Sequence, residues 1–143
     1  DNLQEEMLRI LLKRFIILCT RIAREKFSVS PEREKAFDMV RQFYVLVDNH
    51  FKEKKMVQDY ADMLHRSPKT LSNLFTTCGL PSPLRIIHER IEAEAKRLLL
   101  YSQKSAKEIT EILGFEDQAT FSRFFKKMTG ESVSEYRKRE KRE

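Results

Sequence analysis

The chain has 143 residues, which is enough for one ordinary domain or two small lobes around a real core. Its 28 Lys and Arg residues outnumber its 22 Asp and Glu residues, which gives a formal net charge of +6. No stretch reaches the roughly 18 uninterrupted apolar residues of a membrane span, and the distant Cys19 and Cys78 cannot build a zinc module or a disulfide framework. We therefore expect a basic protein of the reducing cytoplasm, with no membrane role and taken from a longer chain.

Helical spacing of apolar residues runs through nearly all of the sequence, and no segment alternates long enough to predict a strand. The first predicted helix, residues 3–27, has a heptad seam, which consists of Leu8, Leu11, Phe15, Leu18 and Ile22. A second apolar stripe lies beside the seam, so the helix needs two packing partners, and we assign the seam to dimerisation. Burial of this helix in a single core is an equally good alternative.

Serine followed by proline marks three further helix starts, because the serine oxygen caps free amides and proline loses no hydrogen bond at the first helical position. These starts are Ser30, Ser67 and Ser82, and the helices run to about His50, Cys78 and Tyr101. The predicted core face of the first of them is Phe37, Val40, Tyr44, Val47 and Phe51. A charged connector, residues 52–55, leads to a short helix at 57–64 and a turn at 65–67.

Three more helices are predicted in the rest of the chain. They begin after Ser105, Asp117 and Ser132, and glycine ends the first two, at Gly114 and Gly130. Glutamate stands three residues after both serines, as Glu108 and Glu135, which is the pattern of a capping box. The sequence therefore predicts an all-α fold.

An internal repeat organises the second half of the chain. Residues 70–75, TLSNLF, recur 50 residues later as TFSRFF, with three of six positions identical. Each copy follows a short amphipathic helix and a tight turn, and each is followed by a glycine. The repeat predicts two helix-turn-helix units joined by the long helix at 83–101.

The second helix of each unit has an apolar side and a short, polar or cationic side. No Asp or Glu occurs in residues 63–84 or 118–130, so a polyanion can approach both polar sides. These sides are Lys69, Ser72, Asn73 and Thr76 in the first copy, and Ala119, Ser122, Arg123 and Lys126 in the second. Asn and Arg suit base edges in the major groove, while Lys and Arg neutralise phosphate. An ordinary solvated face explains either helix alone, but the duplication favours DNA recognition.

Residues 33–139 resemble the AraC/XylS transcriptional regulators. The most specific part is residues 109–136, where the matching positions are Ile112, Leu113, Gly114, Phe115, Phe121, Phe125, Lys126, Gly130, Tyr136 and Arg137. The resemblance implies two homeodomain-like lobes joined by a rigid central helix. The implied organisation is an N-terminal helix at 1–28, left from a sensor or dimerisation domain, and a DNA-binding domain at 29–143, with lobes at 31–82 and 105–139.

The resemblance further implies a sequence-specific regulator of double-stranded DNA that contacts RNA polymerase, as an activator does, and uses no cofactor or metal. By motif position, the base-reading residues are Lys69, Ser72, Asn73, Gln118, Ala119, Ser122 and Arg123. The phosphate-binding residues are Thr70, Thr76, Thr120, Lys126 and Lys127. His65, Thr110 and Val133 depart from the family pattern, where glycine, alanine and proline are usual.

Other functions remain as alternatives. An enzyme is not expected, because the three histidines are isolated, the glycines are too far apart for a phosphate-binding loop, and neither cysteine has a partner. The stronger rival is a helical module whose basic surface binds an acidic protein, or binds nucleic acid without sequence preference. RNA fits less well, because the aromatic residues lie on apolar faces.

Overall fold

The computed structural model describes residues 2–26 and 30–141, and every regular element in these ranges is a helix. The helices are α1 (Asn2–Lys26), α2 (Pro31–His50), α3 (Val57–Met63), α4 (Pro68–Thr77), α5 (Pro83–Tyr101), α6 (Ala106–Ile112), α7 (Gln118–Thr129) and α8 (Val133–Glu140). The all-α prediction is confirmed. Helices α2, α4 and α5 begin at the predicted serine–proline signals, and glycine follows the ends of α4, α6 and α7. Phe27 and the predicted boundary at 28–29 lie outside the described residues.

The chain divides into two compact segments, an N-terminal segment, Asp1–Phe37, and a C-terminal segment, Asp38–Glu143. In the N-terminal segment, the seam of α1 is exposed, from 47% at Ile22 to 66% at Leu8. The assignment of this seam to dimerisation stays a prediction. No helix within residues 2–26 and 30–141 combines the length and the apolar character needed to cross a bilayer.

The C-terminal segment has a core formed by one face of each of its helices. Phe43 of α2 is fully buried and meets Phe75 of α4 edge-on, with 4.9 Å between ring centroids. The ring centroid of Tyr60 of α3 lies 5.5 Å from that of Phe43. The predicted core face of α2 was therefore wrong in part. Phe43 is buried where Tyr44 was expected, because α3 and α4 pack on that side, and Tyr44 is 41% exposed. Phe37, which was predicted for the same face, is also exposed, at 49%.

The first helix of each helix-turn-helix unit ends in the same kind of turn. The residue after the helix C-cap has a positive φ in both, 54° at His65 and 74° at Gly114. The next amide donates to the carbonyl five residues earlier, which is the Schellman arrangement, as from Arg66 to Ala61 in the first unit. His65 thus adopts the left-handed conformation for which the family pattern has glycine.

The other departures from the family pattern are accommodated locally. Thr110 is buried, and its hydroxyl donates to the carbonyl of Ala106 at 2.7 Å, so its polar group is satisfied. Val133 is buried as the first residue of α8. One predicted capping box is incomplete, because Ser105 accepts from the amide of Glu108 while the Glu108 carboxylate contacts the serine hydroxyl instead of its amide.

Candidate nucleic-acid interface

Helix α4 is the second helix of the first unit, and its N-terminus is set by local groups. The Ser67 hydroxyl accepts from the amide of Thr70 at 3.1 Å, and Pro68 occupies the first helical position. Leu71 and Phe75 are fully buried, so the apolar side of α4 is held against the core. The opposite side must therefore face solvent.

That solvent side contains the residues predicted for the first copy. Lys69, Ser72, Asn73 and Thr76 are all exposed. The hydroxyl of Thr76 donates to the carbonyl of Ser72 at 2.9 Å, and the hydroxyls of Thr70 and Ser67 lie 2.8 Å apart. Thr76 must therefore exchange an internal hydrogen bond before it can donate one to phosphate.

Helix α7 is the corresponding helix of the second unit. Its N-cap is Asp117, whose carboxylate accepts from both the amide and the hydroxyl of Thr120, at 2.7 and 2.8 Å. These two hydrogen bonds lower the pKa of Asp117 below its ordinary value. Phe121 and Phe125 are fully buried, so α7 is fixed to the core in the same way as α4.

The solvent side of α7 is more cationic than that of α4. Its exposed residues from the sequence prediction are Gln118, Ala119, Arg123, Lys126 and Lys127. Thr120 and Ser122 are only partly exposed. The guanidinium of Arg123 lies 3.5 Å from the Thr120 hydroxyl, which links the side chain to the Asp117 cap.

Helix α5 joins the two units and makes polar contacts with both. Arg90 donates to the carboxylate of Asp48 on α2 at 2.7 Å. Near the other end of α5, the carbonyl of Leu99 accepts from Arg137 of α8 at 3.2 Å. The central helix is thus fixed to each unit by a hydrogen bond between residues far apart in sequence.

Two side chains of α5 in notable environments, Glu94 and His88, were not predicted from the sequence. Glu94 is buried and accepts two hydrogen bonds from Arg97, at 3.0 and 2.7 Å. Arg97 is the main cause of a lowered pKa for Glu94. His88 meets Phe124 of α7 edge-on at 5.3 Å, and burial, together with the charge of Lys127, lowers the pKa of His88. The three-residue spacing of Glu94 and Arg97 on a helix is a sequence signal that could have predicted their ion pair.

The described residues contain no cluster of three His, Cys, Asp or Glu side chains that could hold a metal ion. Helices α4 and α7 instead each present an exposed face, and the opposite side of each helix is buried in the core. Each face has hydrogen-bonding side chains next to cations, and neither has an acidic residue within its helix. This arrangement can bind a polyanion and distinguish among hydrogen-bonding patterns on it.

Comparison with known proteins gives consistent matches. Residues 60–139 match a family model described as a helix-turn-helix domain. The chain is 30% identical over 122 residues to YisR of Bacillus subtilis, an uncharacterised HTH-type transcriptional regulator, covering 85% of this chain and 41% of YisR. It is 36% identical over 92 residues to the arabinose operon regulatory protein of Salmonella typhimurium, covering 64% of this chain and 31% of that protein.

A solved structure is similar to much of the chain. The C-terminal domain of AraT, a response regulator from Geobacillus stearothermophilus, is 29% identical and has a TM-score of 0.63. The match covers 70% of this chain and 84% of that domain. By contrast, the chain spans less than half the length of YisR and of the arabinose operon regulatory protein.

Proposed function

This chain belongs to the AraC/XylS family of transcriptional regulators, and on that premise we propose that it binds specific sequences in double-stranded DNA to regulate transcription. Helices α4 and α7 enter successive major-groove segments of one duplex. The observation that supports this most directly is the pair of exposed, acid-free faces on duplicated helices whose opposite sides are buried.

The length of the helix that joins the two units suits a single duplex. Helix α5 has 19 residues, which at 1.5 Å per residue is about 28 Å long. Successive turns of the major groove on one side of B-DNA are about 34 Å apart. One chain can therefore address two groove segments without a second copy.

Base reading is assigned to side chains that project from the outer faces of α4 and α7. These are Lys69, Ser72 and Asn73 in the first unit, and Gln118, Ala119, Ser122 and Arg123 in the second. The phosphate contacts are Thr70, Thr76, Thr120, Lys126 and Lys127. Ala119 contributes through its methyl group, which suits the methyl of thymine.

The decisive experiment is to select duplexes from a random pool and then compare two variants on the selected and on a random duplex. Arg123→Ala should relax the preference at particular base positions, by about 1–3 kcal/mol. Lys126→Ala should weaken binding to both duplexes alike, because phosphate contacts are independent of sequence. Equal losses on both duplexes for Arg123→Ala would instead support binding without sequence preference, and failure to select any duplex would favour an acidic protein partner.

Dimerisation through the α1 seam and contact with RNA polymerase are further parts of the proposal. The exposed leucines and Phe15 of the seam support the first. Phe15→Glu should shift sedimentation equilibrium of the chain toward monomer, whereas Lys13→Glu also introduces an acidic side chain but leaves the seam intact. An unaltered equilibrium for Phe15→Glu would exclude the seam as a dimer contact.

A further inference from the structure

The charged connector between α2 and α3, residues 52–55, is fixed to the first unit. The hydroxyl of Tyr60, which is fully buried, donates to the carbonyl of Lys54 at 2.6 Å. The ammonium of Lys55 donates to the carbonyl of Lys52 at 2.7 Å. Just before the connector, Phe51 is buried beneath the guanidinium of Arg90, 4.2 Å from its ring centroid. The connector is therefore held in place on the surface of the first unit by hydrogen bonds and by the packing of Phe51.

This surface touches the turn between α6 and α7 in the second unit. A methyl group added to Gly114 would lie 1.9 Å from the carbonyl oxygen of Lys52, and that atom is backbone, so it cannot turn aside. Beside it, the Lys55 ammonium lies 5.1 Å from the ring centroid of Phe115. Burial lowers the pKa of Lys55, which agrees with a packed environment.

The glycines at the other helix ends provide the contrast. Gly79 and Gly130 also have positive φ, but a methyl group at either would meet nothing within 4 Å. His65, which follows the C-cap in the first unit as Gly114 does in the second, has a side chain and still adopts the turn. Positive φ alone therefore does not require glycine in this protein, and the requirement at Gly114 is steric.

We propose that the contact between the 52–55 connector and the Gly114 turn is a spacer that fixes the separation of α4 and α7, and so determines the distance between the two DNA segments that the protein accepts. The units are then joined at two places, along α5 and at this contact. Two attachments resist the bending and twisting that a single connecting helix would permit. The DNA part of this inference rests on the function proposed above.

The test uses the glycines as a matched pair. Gly114→Ala and Gly79→Ala impose the same positive-φ strain, but only the first also forces the connector and the turn apart. Circular dichroism first establishes that both variants are folded. Each is then measured on a selected duplex and on duplexes with one base pair added or removed between the two contacted segments.

Wild type and Gly79→Ala should lose about tenfold or more in affinity when the spacing changes, comparable to a disrupted base contact. Gly114→Ala should bind the altered duplexes almost as well as the selected one. A folded Gly114→Ala that keeps the wild-type spacing preference overturns the proposal.

If Gly114→Ala does not fold, the same affinities are measured for Lys55→Met, which loses the ammonium beside the Phe115 ring. Lys54→Met is the control for the lost charge. A flattened spacing preference in Lys55→Met alone supports the spacer, and an unchanged preference overturns it.

A measurement without DNA separates this proposal from the proposed function. Nitroxide labels on Thr77→Cys and Lys127→Cys, with Cys19→Ser and Cys78→Ala, report the distance between α4 and α7. The distance distribution should broaden in Gly114→Ala, or in Lys55→Met if the former does not fold, and stay narrow in Gly79→Ala. An equally narrow distribution in the test variant overturns the spacer even if wild type selects no duplex.

Discussion

Helix α4 of the first unit presents mainly neutral hydrogen-bonding groups to solvent, whereas α7 of the second presents three cations, Arg123, Lys126 and Lys127. Their caps differ in the opposite sense. The hydroxyl of Ser67 caps α4, while the carboxylate of Asp117 caps α7 and places a negative charge at its start. The two helices thus share their buried positions and differ at their exposed ones, so the same kind of buried support carries two chemically different surfaces.

The largest expected effect tests whether the buried sides of α4 and α7 are equally important for the stability of the fold. Phe75→Ala and Phe125→Ala each remove a fully buried ring at equivalent positions, so each should destabilise the fold by about 3–5 kcal/mol. Urea unfolding followed by circular dichroism measures both. Thr77→Ala, at an exposed position of α4, is the control and should change stability by no more than about 0.5 kcal/mol. A much smaller loss of stability for one of the two variants would show that the buried sides of α4 and α7 are not equivalent.

The contrast in surface charge predicts a contrast in salt dependence. Lys127→Ala should reduce the slope of log affinity against log salt by about 0.9, the value of one phosphate contact. Asn73→Ala should leave the slope unchanged while losing about 1–3 kcal/mol of discrimination at one base pair. Titrations of a selected duplex at several salt concentrations measure both quantities. A reduced slope for Asn73→Ala would mean that the first unit also binds through charge.

Acid should weaken the ionic network on α5. The pKa of Glu94 is lowered from 4.5, chiefly by its hydrogen bonds to Arg97. Its ionised form therefore contributes to stability above pH 4.5, and this contribution disappears as the pH falls below 4.5 and through the folded-state pKa. Glu94→Gln should make the free energy of unfolding less dependent on pH in that acidic range. Identical pH profiles for the two proteins would contradict this role of Glu94.

The smallest expected effect concerns the two turns. His65→Gly should relieve the left-handed strain of a non-glycine residue, and after the entropy gained by the unfolded chain the net stabilisation should be about 0.5 kcal/mol. Arg66→Gly next to it should destabilise, because Arg66 has no positive φ to relieve. Thermal unfolding compares the two. If both variants destabilise to the same extent, His65 is not strained.

The sequence predicted the helices well because their ends depend on nearby residues. Ser67, Pro68 and Gly79 act within one turn of the helix that they delimit, so their effects are readable locally. The outer faces of α4 and α7 follow from the same periodicity. Only the partial burial of Thr120 and Ser122 differs from a fully exposed face.

Contacts between distant segments were not readable in this way. Asp48 and Arg90 are both charged, but nothing local indicates that α2 and α5 bring them together. Gly114 approaches the backbone carbonyl of Lys52, which every residue type has, so the residue at position 52 does not reveal this contact. The choice of Phe43 over Tyr44 likewise depended on where α3 and α4 pack.

The two turns differ in length, and this affects how chimeras should be made. One residue, Arg66, separates His65 from the cap Ser67, whereas two residues separate Gly114 from the cap Asp117. A graft of α4 or α7 into the other unit must therefore be aligned from the cap. An alignment from the turn would shift the graft by one residue and rotate every transplanted side chain by about 100°.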